Sequence, residues 1–349
     1  MATAREFEAM EQALVLAEQG IGTVSPNPAV GCVLIAPDGS VVGTGWHERA
    51  GNPHAEVMAL RSAGEAARGS TAVVTLEPCA HTGLTGPCTQ ALIEAGVARV
   101  VYAVDDPGAA SGGGSQVLAS AGVGVEGGVL ADRAAHLNQA WLLSARLGRP
   151  FVTVKSAASL DGRVAAADGS SRWITGSLAR ADAHRRRALV DAVVVGSGTI
   201  AADDPALTAR DLAAELTFDT PLRVVVGRSD VPADARVRGS DDAFMHLATH
   251  DIDDVLSTLW ERGVRSVLVE GGPTLVTAFL RHGVVDKVLT YVAPVIIGSG
   301  PQAIGDLGGT GIDDAVRLDV EAIERLGDDV LIIARPRTST LAPPATEGI

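Results

Sequence analysis

At 349 residues the chain is long enough for two domains of ordinary size. Its 46% hydrophobic and 20% charged residues exclude a disordered chain, and forty glycines among few aromatics point to many tight turns between strands and helices. A formal net charge of −14 argues against a nucleic-acid partner, because that affinity rests on Lys and Arg neutralising phosphates, but leaves anionic small molecules open.

The N-terminal stretch MATAREFEAMEQALVLAEQG is no signal peptide, since Arg5, Glu6, Glu8 and Glu11 interrupt any apolar run. Phe7, Met10, Leu14 and Ala17 fall at helical spacing, which predicts an amphipathic surface helix. Strands are predicted at 29–36, 71–76 and 98–104, with helices in HAEVMALRSAG and PCTQALIEAG. The glycine-rich stretch 106–116 has no assignable structure, and 131–148 reads as one helix ending in glycine. The chain restarts at Pro150. The expected domains are 1–147, 148–337 and a Pro/Thr/Ala-rich, disordered tail at 338–349. In the second half FVTVKSAA, DAVVVG, LRVVVG, RSVLVEGG and VLTYVAPVII read as strands, and SLARADAHRRRALV, IDDVLSTLWERG and PTLVTAFLRHG as helices. Strand–helix alternation in both halves predicts two α/β domains. No segment has the ~20 apolar residues of a membrane span. Three cysteines are too few, and odd in number, for a disulfide scaffold, so a reducing, cytoplasmic setting is expected.

His54, Cys79 and Cys88 supply one imidazole and two thiolates. That donor set suits Zn²⁺ in a catalytic site, where three protein ligands leave one position open for water. Glu56, two residues after His54 at a helix entrance, can serve as the proton carrier without ligating the metal. The sequences H-A-E and Pro78-Cys79 match the zinc-deaminase signature, but the second cysteine lies farther away than that signature places it. The alternative is a closed structural site, for which His47 or His81 could be the fourth ligand.

These stretches, with SPNPAVGCVL and TLEPCAHTGLTGPC, resemble the deaminase half of the bifunctional deaminase–reductase family of riboflavin biosynthesis. KSAASLDGRVA, SSRWITG, TIAADDPALTAR, VEGGPTL and YVAPVIIG resemble its reductase half, so the likeness runs over about 5–335. The resemblance implies a cytidine-deaminase-like three-layer α/β/α domain followed by a dihydrofolate-reductase-like α/β domain. It implies hydrolytic removal of the 2-amino group of 2,5-diamino-6-ribosylamino-4(3H)-pyrimidinone 5′-phosphate. Reduction of the ribosyl group to ribityl by NADPH would follow, giving 5-amino-6-(5-phosphoribitylamino)uracil. Asn27 is similar to the family's pyrimidine-contacting asparagine. Ala80, Leu84, Gly86 and Gly108 depart from the family pattern. The arginine usual at Leu84 could pair with the substrate phosphate.

In the second half, Gly196, Gly198 and Ala201 form a weak dinucleotide fingerprint, but Pro205 would stop the helix it requires. A better phosphate site is the strand ending at Glu270-Gly271-Gly272 with Pro273 opening a helix. The resemblance makes Gly272, Pro273, Thr274 and Leu275 the contact for the cofactor diphosphate. Ala157, Trp173, Thr199 and Asp203 become further cofactor contacts. Ser171, Arg187, Leu207, Arg210 and Glu270 match substrate contacts, and Lys155 is added to them, with Asp161 a weaker candidate. Arg228 is a candidate for the NADPH 2′-phosphate. Two arginines, Arg187 and Arg210, could grip a phosphate bidentately, while Arg185 and Arg186 read as a solvated face. Expected partners are the small pyrimidine ribosyl phosphate and further copies of the chain, with neither nucleic acid nor membrane. The competing readings are the same fold with one half catalytically impaired, or a zinc deaminase of nucleosides or nucleic acid.

Overall fold

A computed structural model describes residues 1–82, 86–108, 111–210 and 220–337. Leu84 and the tail 338–349 lie outside the described residues. The chain divides into two compact units, Met1–Gly148 and Arg149–Ile349.

The first unit is built on a five-stranded sheet. In chain order its strands are β1 (Gly31–Ile35), β2 (Val41–Trp46), β3 (Thr71–Leu76), β4 (Arg99–Val104) and β5 (Gly124–Glu126), arranged β2-β1-β3-β4-β5. β1 runs antiparallel to β2 and β3; β3, β4 and β5 are parallel. Every residue of β1 is buried, because helices cover both faces. Val33 and Ile35 meet Met10, Ala13 and Leu14 of α1 (Ala4–Glu18) on one face. Cys32 and Leu34 meet Ala55 and Ala59 of α2 (Ala55–Ala63), Leu92 of α3 (Cys88–Glu94) and Leu118 of α4 (Gly114–Ser120) on the other. That is the expected three-layer arrangement. Gly45 decides how closely α2 sits: a Cβ there would lie 2.5 Å from the Ala55 carbonyl oxygen. α1 starts at a Thr3/Glu6 capping box. Its buried stripe is Glu6, Ala9, Met10, Ala13, Leu14 and Ala17. Phe7, expected in that stripe, is 43% exposed, because the stripe runs through Glu6 instead.

The single helix expected over 131–148 is two: α5 (Ala131–Leu137) and α6 (Gln139–Leu147). Asn138 breaks it with φ −97° and ψ 20°.

The second unit holds an eight-stranded sheet. The parallel part comprises β6 (Phe151–Ser159), β7 (Ala192–Gly196), β8 (Leu222–Val226), β9 (Phe244–Leu247), β10 (Ser266–Val269) and β11 (Lys287–Ala293). The hairpin β12 (Leu318–Leu326) and β13 (Asp329–Pro336) adds an antiparallel edge, giving the order β12-β13-β11-β6-β10-β7-β8-β9. Sequence reading misses this hairpin because β12 carries Asp319, Glu321, Glu324 and Arg325, charges typical of an exposed edge strand. β11 ends at Ala293, short of the expected run, because Pro294 has no N–H for the ladder. The helices are α7 (Ser177–Arg187), α8 (Ser197–Asp203), α9 (Ile252–Glu261) and α10 (Pro273–His282). α8 does form after β7, but it is only seven residues long, as the objection from Pro205 requires. It stops two residues short of that proline, with Asp204 in the left-handed region at φ 39°.

Candidate active sites

His54 is the N-cap residue of α2, so its side chain leaves the helix entrance while Glu56 enters the first turn. Cys79 follows β3, and Cys88 is the first residue of α3, after Pro87. His54 Nδ1 lies 3.2 Å from Cys88 Sγ and 3.7 Å from Cys79 Sγ. The three ligand atoms fall within 4.8 Å of one another. Around a tetrahedral zinc with bonds of about 2.0–2.3 Å, ligand atoms stand roughly 3.5 Å apart, so the trio fits the ion. Among the described residues no other His, Cys, Asp or Glu joins the group. The candidates for a fourth ligand, His47 and His81, do not close the site.

Electrostatics favour a thiolate. The Cys88 thiol and the Cys88 N–H at the start of α3 both point hydrogen bonds at Cys79, drawing its thiol down. Cys88, donating to Cys79 and buried beside Glu56, is pushed up. Cys79 in turn raises His54. Glu56 is 3% exposed, and burial, then the Cys79 charge, pushes its carboxyl up.

His47 extends the site. Its Nδ1 donates to the Pro53 carbonyl at 3.1 Å, and burial lowers its pKa, so Nε2 carries a lone pair. Asn27 Nδ2 donates to that Nε2 at 3.1 Å. The His47 and His54 rings stand edge to face, 5.3 Å apart, linking Asn27 to the metal trio.

Described residues of the stretch 106–116, unassigned from sequence and helical from Gly114 in α4, buttress Cys79. Glu77 accepts from Ser115 N at 2.8 Å and Asp106 N at 3.2 Å, and Ala80 N donates to Ser111 O at 3.1 Å. A Cβ on Gly114 would lie 1.8 Å from the Pro78 carbonyl oxygen. Gly108, one of the departures, leaves the space that Ser111 Oγ occupies.

In the second unit the candidates gather at the C-terminal ends of the parallel strands, where open α/β sheets bind ligands. Glu270, 5% exposed in its side chain, accepts Arg187 Nε at 2.6 Å and Nη2 at 2.9 Å, with Lys155 Nζ at 3.5 Å. Arg187 is therefore committed to a carboxylate rather than free to grip a phosphate. Thr208 draws in three side chains: its carbonyl accepts from Arg187 and His184, and its hydroxyl from Arg210. Thr199 Oγ1 accepts the Gly272 N–H at 3.2 Å, which joins α8 to the start of α10. Pro273 is the first residue of α10, followed by Thr274 and Leu275.

Ala157 lies on β6 opposite Tyr291 of β11. Leu207 is 3% exposed and packed in the core, so any ligand contact runs through its main chain. Ser171 precedes Arg172 and Trp173. Trp173, 70% exposed, is stacked by Arg180 at 4.5 Å and lines an open groove of about 510 Å³ with Thr175, Val295 and Asp329. None of the other predicted cofactor residues lines that groove. Asp203 ends α8, and Arg228 is exposed just past β8. Asp161 is a clamp: hydrogen bonds from Ser159 Oγ and then from Ile297 N and Gly298 N hold its carboxyl down to about 2. Arg186 is not on a solvated face, since it grips the buried Asp182 together with Tyr291.

A family model described as the cytidine and deoxycytidylate deaminase zinc-binding region matches residues 4–104. The RibD C-terminal domain model matches residues 150–332. The riboflavin biosynthesis protein RibD of Mycobacterium tuberculosis (strain ATCC 25618 / H37Rv) is 50% identical over 326 residues, covering 93% of this chain and 96% of that protein. This chain belongs to the RibD family. It is thus a bifunctional deaminase–reductase of riboflavin biosynthesis, with a zinc-binding deaminase unit and a reductase unit that uses NADPH. Acinetobacter baumannii RibD superimposes with a TM-score of 0.90 at 38% identity, over 95% of this chain and 99% of that one. The diaminohydroxyphosphoribosylaminopyrimidine deaminase/5-amino-6-(5-phosphoribosylamino)uracil reductase of Thermotoga maritima superimposes with a TM-score of 0.87 at 33% identity, over 95% and 99%. No helix among the described residues is long and apolar enough to cross a membrane.

Proposed function

We propose that the first unit removes the 2-amino group of 2,5-diamino-6-ribosylamino-4(3H)-pyrimidinone 5′-phosphate, and that the second reduces the ribosyl group of the product to ribityl. The observation that carries the reading is the His54–Cys79–Cys88 trio with the buried Glu56 beside it. Zinc held by the trio supplies a Lewis acid and an activated water. Glu56 takes a proton and returns it to the departing amine; burial raises its pKa toward the range in which one group can do both. Asn27, oriented by His47, contacts the pyrimidine. One amide N–H is committed to His47, and its Oδ1 accepts no hydrogen bond among the described residues, which suits it to receive an N–H of the ring.

In the second unit, NADPH supplies the hydride. Gly272, Pro273, Thr274 and Leu275 offer a helix start to its diphosphate, with Thr199 holding the Gly272 amide in place. Arg210 is the candidate contact for the sugar phosphate, and the Lys155–Glu270–Arg187 ion-pair group forms the polar wall against the rest of the substrate, with Ser171 and Leu207 as neighbouring contacts. Ala157, Trp173, Asp203 and Arg228 are the remaining cofactor contacts. The protein's share of hydride transfer is alignment.

A coupled assay tests the reading: the purified chain is given the diamino compound and NADPH, and ammonia release and NADPH oxidation are followed together. Ammonia first and NADPH oxidation second supports it. NADPH oxidation without ammonia means that the first unit lacks the activity. The expected homo-oligomer is a matter for sedimentation.

A further inference from the structure

The break at Asn138 has a purpose that the helix itself does not explain. Asn138 is 5% exposed, and its side chain is spent entirely on one distant residue. Its Oδ1 accepts the Ala29 N–H at 2.9 Å and its Nδ2 donates to the Ala29 carbonyl at 2.8 Å, across 109 positions of sequence. Three residues on, one helical turn along the same face, Trp141 Nε1 donates to the Pro26 carbonyl at 3.1 Å. Asn138 and Trp141 thus hold both ends of the segment Pro26-Asn27-Pro28-Ala29.

That segment needs external support. Pro26 and Pro28 have no N–H, so it cannot be tied down by a ladder of its own. Its two remaining amides are both used, Asn27 N on Val24 O at 2.9 Å and Ala29 N on Asn138. An amide side chain of this length can donate to a carbonyl and accept from an N–H of the same residue at once. Asn138 leaves helical geometry while its own N–H still donates to the Ala134 carbonyl and its carbonyl accepts the Leu142 N–H, and asparagine tolerates such a break.

We propose that Asn138, assisted by Trp141, is a positioning residue for deamination, fixing this segment so that Asn27 meets both His47 and the pyrimidine ring. The proposal rests on the reading of Asn27 as the pyrimidine contact. Asn138 touches neither substrate nor metal and acts through Asn27.

The test is steady-state deamination of the diaminopyrimidine ribosyl phosphate by the full chain, with bound zinc and reductase rate measured on the same preparations. Asn138→Ala should raise KM about ten-fold, as for one badly held hydrogen bond, with kcat changed by less than about threefold. Zinc content and reductase rate should stay at wild-type values. Trp141→Phe keeps an aromatic ring on the core while losing the indole N–H and some volume; it should raise KM about threefold, carrying the test if Asn138→Ala does not fold. Asn27→Ala should raise KM by itself, and Asn138→Ala added to it should do little more, since both act through one side chain. If Asn138→Ala lowers kcat or zinc content with KM unchanged, its role is structural and the proposal is overturned. Equal KM effects of Asn138→Ala with and without Asn27 also overturn it. If Asn27→Ala leaves KM unchanged, the reading of Asn27 fails and takes the proposal with it. If Asn27→Ala raises KM while Asn138→Ala and Trp141→Phe do not, the proposal fails alone.

Discussion

Replacing Glu270 by Gln probes the most heavily committed charge in the reductase unit. The carboxylate is buried, which by itself would raise its pKa; the charges of Arg187 and Lys155 outweigh burial and hold it down to about 2, from an ordinary value of 4.5. A displacement of that size corresponds to about 3 kcal/mol of folding stability. Because the folded-state pKa is depressed, the contribution is fully present above pH 4.5 and is lost as pH falls toward 2. Glutamine keeps the shape but leaves Arg187, itself mostly buried, facing an uncharged group. Removing one partner of a buried pair typically costs ~3–5 kcal/mol, consistent with that figure. The unit has about 200 residues, so the melting temperature should fall by roughly 6–12 °C at pH 7. Calorimetry and urea unfolding of the full chain, from pH 8 down to 3, provide the measurement. The gap between wild type and Glu270→Gln should be constant above pH 5 and narrow below about 4.5. The double variant Glu270→Gln/Arg187→Met should recover part of the loss, because no buried charge is then left alone. A gap below about 0.5 kcal/mol at pH 7, or one that persists unchanged to pH 3, would refute the reasoning.

Three further outcomes are expected. Glu56→Gln should lower deamination by roughly 10²–10⁴ while zinc stays bound and NADPH oxidation with the deaminated pyrimidine continues; ammonia release near the wild-type rate would move the proton carrier elsewhere. Cys79→Ser and Cys88→Ser should each lose most of the one zinc per chain, since only three protein ligands hold it, and full zinc content by metal analysis in both variants would contradict the assigned ligands. Gly45→Ala should cost about 1–3 kcal/mol and depress deamination more than reduction, because the new methyl would push on the Ala55 carbonyl at the entrance of the helix that carries Glu56; unaltered unfolding of the first unit would show that α2 moves away freely.

Local sequence determined a good deal. Buried runs such as 71–76 and 192–196 are strands because both faces are covered, and a continuous apolar run records that without help from the rest of the chain. The types of the metal donors were also legible, since one imidazole and two thiols are rare enough to stand out. Tertiary structure decided what those groups meet. Glu270 looked like a ligand contact, but its distance of 83 positions from Arg187 hid the ion pair. Thr199 and Gly272 are joined across 73 positions, and in the glycine-rich stretch Asp106 and Ser115 are held by Glu77 and Gly114 is pressed against the Pro78 carbonyl, contacts its own composition does not record. Asn138 is the clearest case. Its neighbours have helical spacing, and the break at Asn138 coincides with a side chain that takes both main-chain groups of Ala29. Periodicity reports which face a residue turns inward; it carries no information about the polar group waiting there, and a buried hydrogen bond can outweigh the local preference it interrupts.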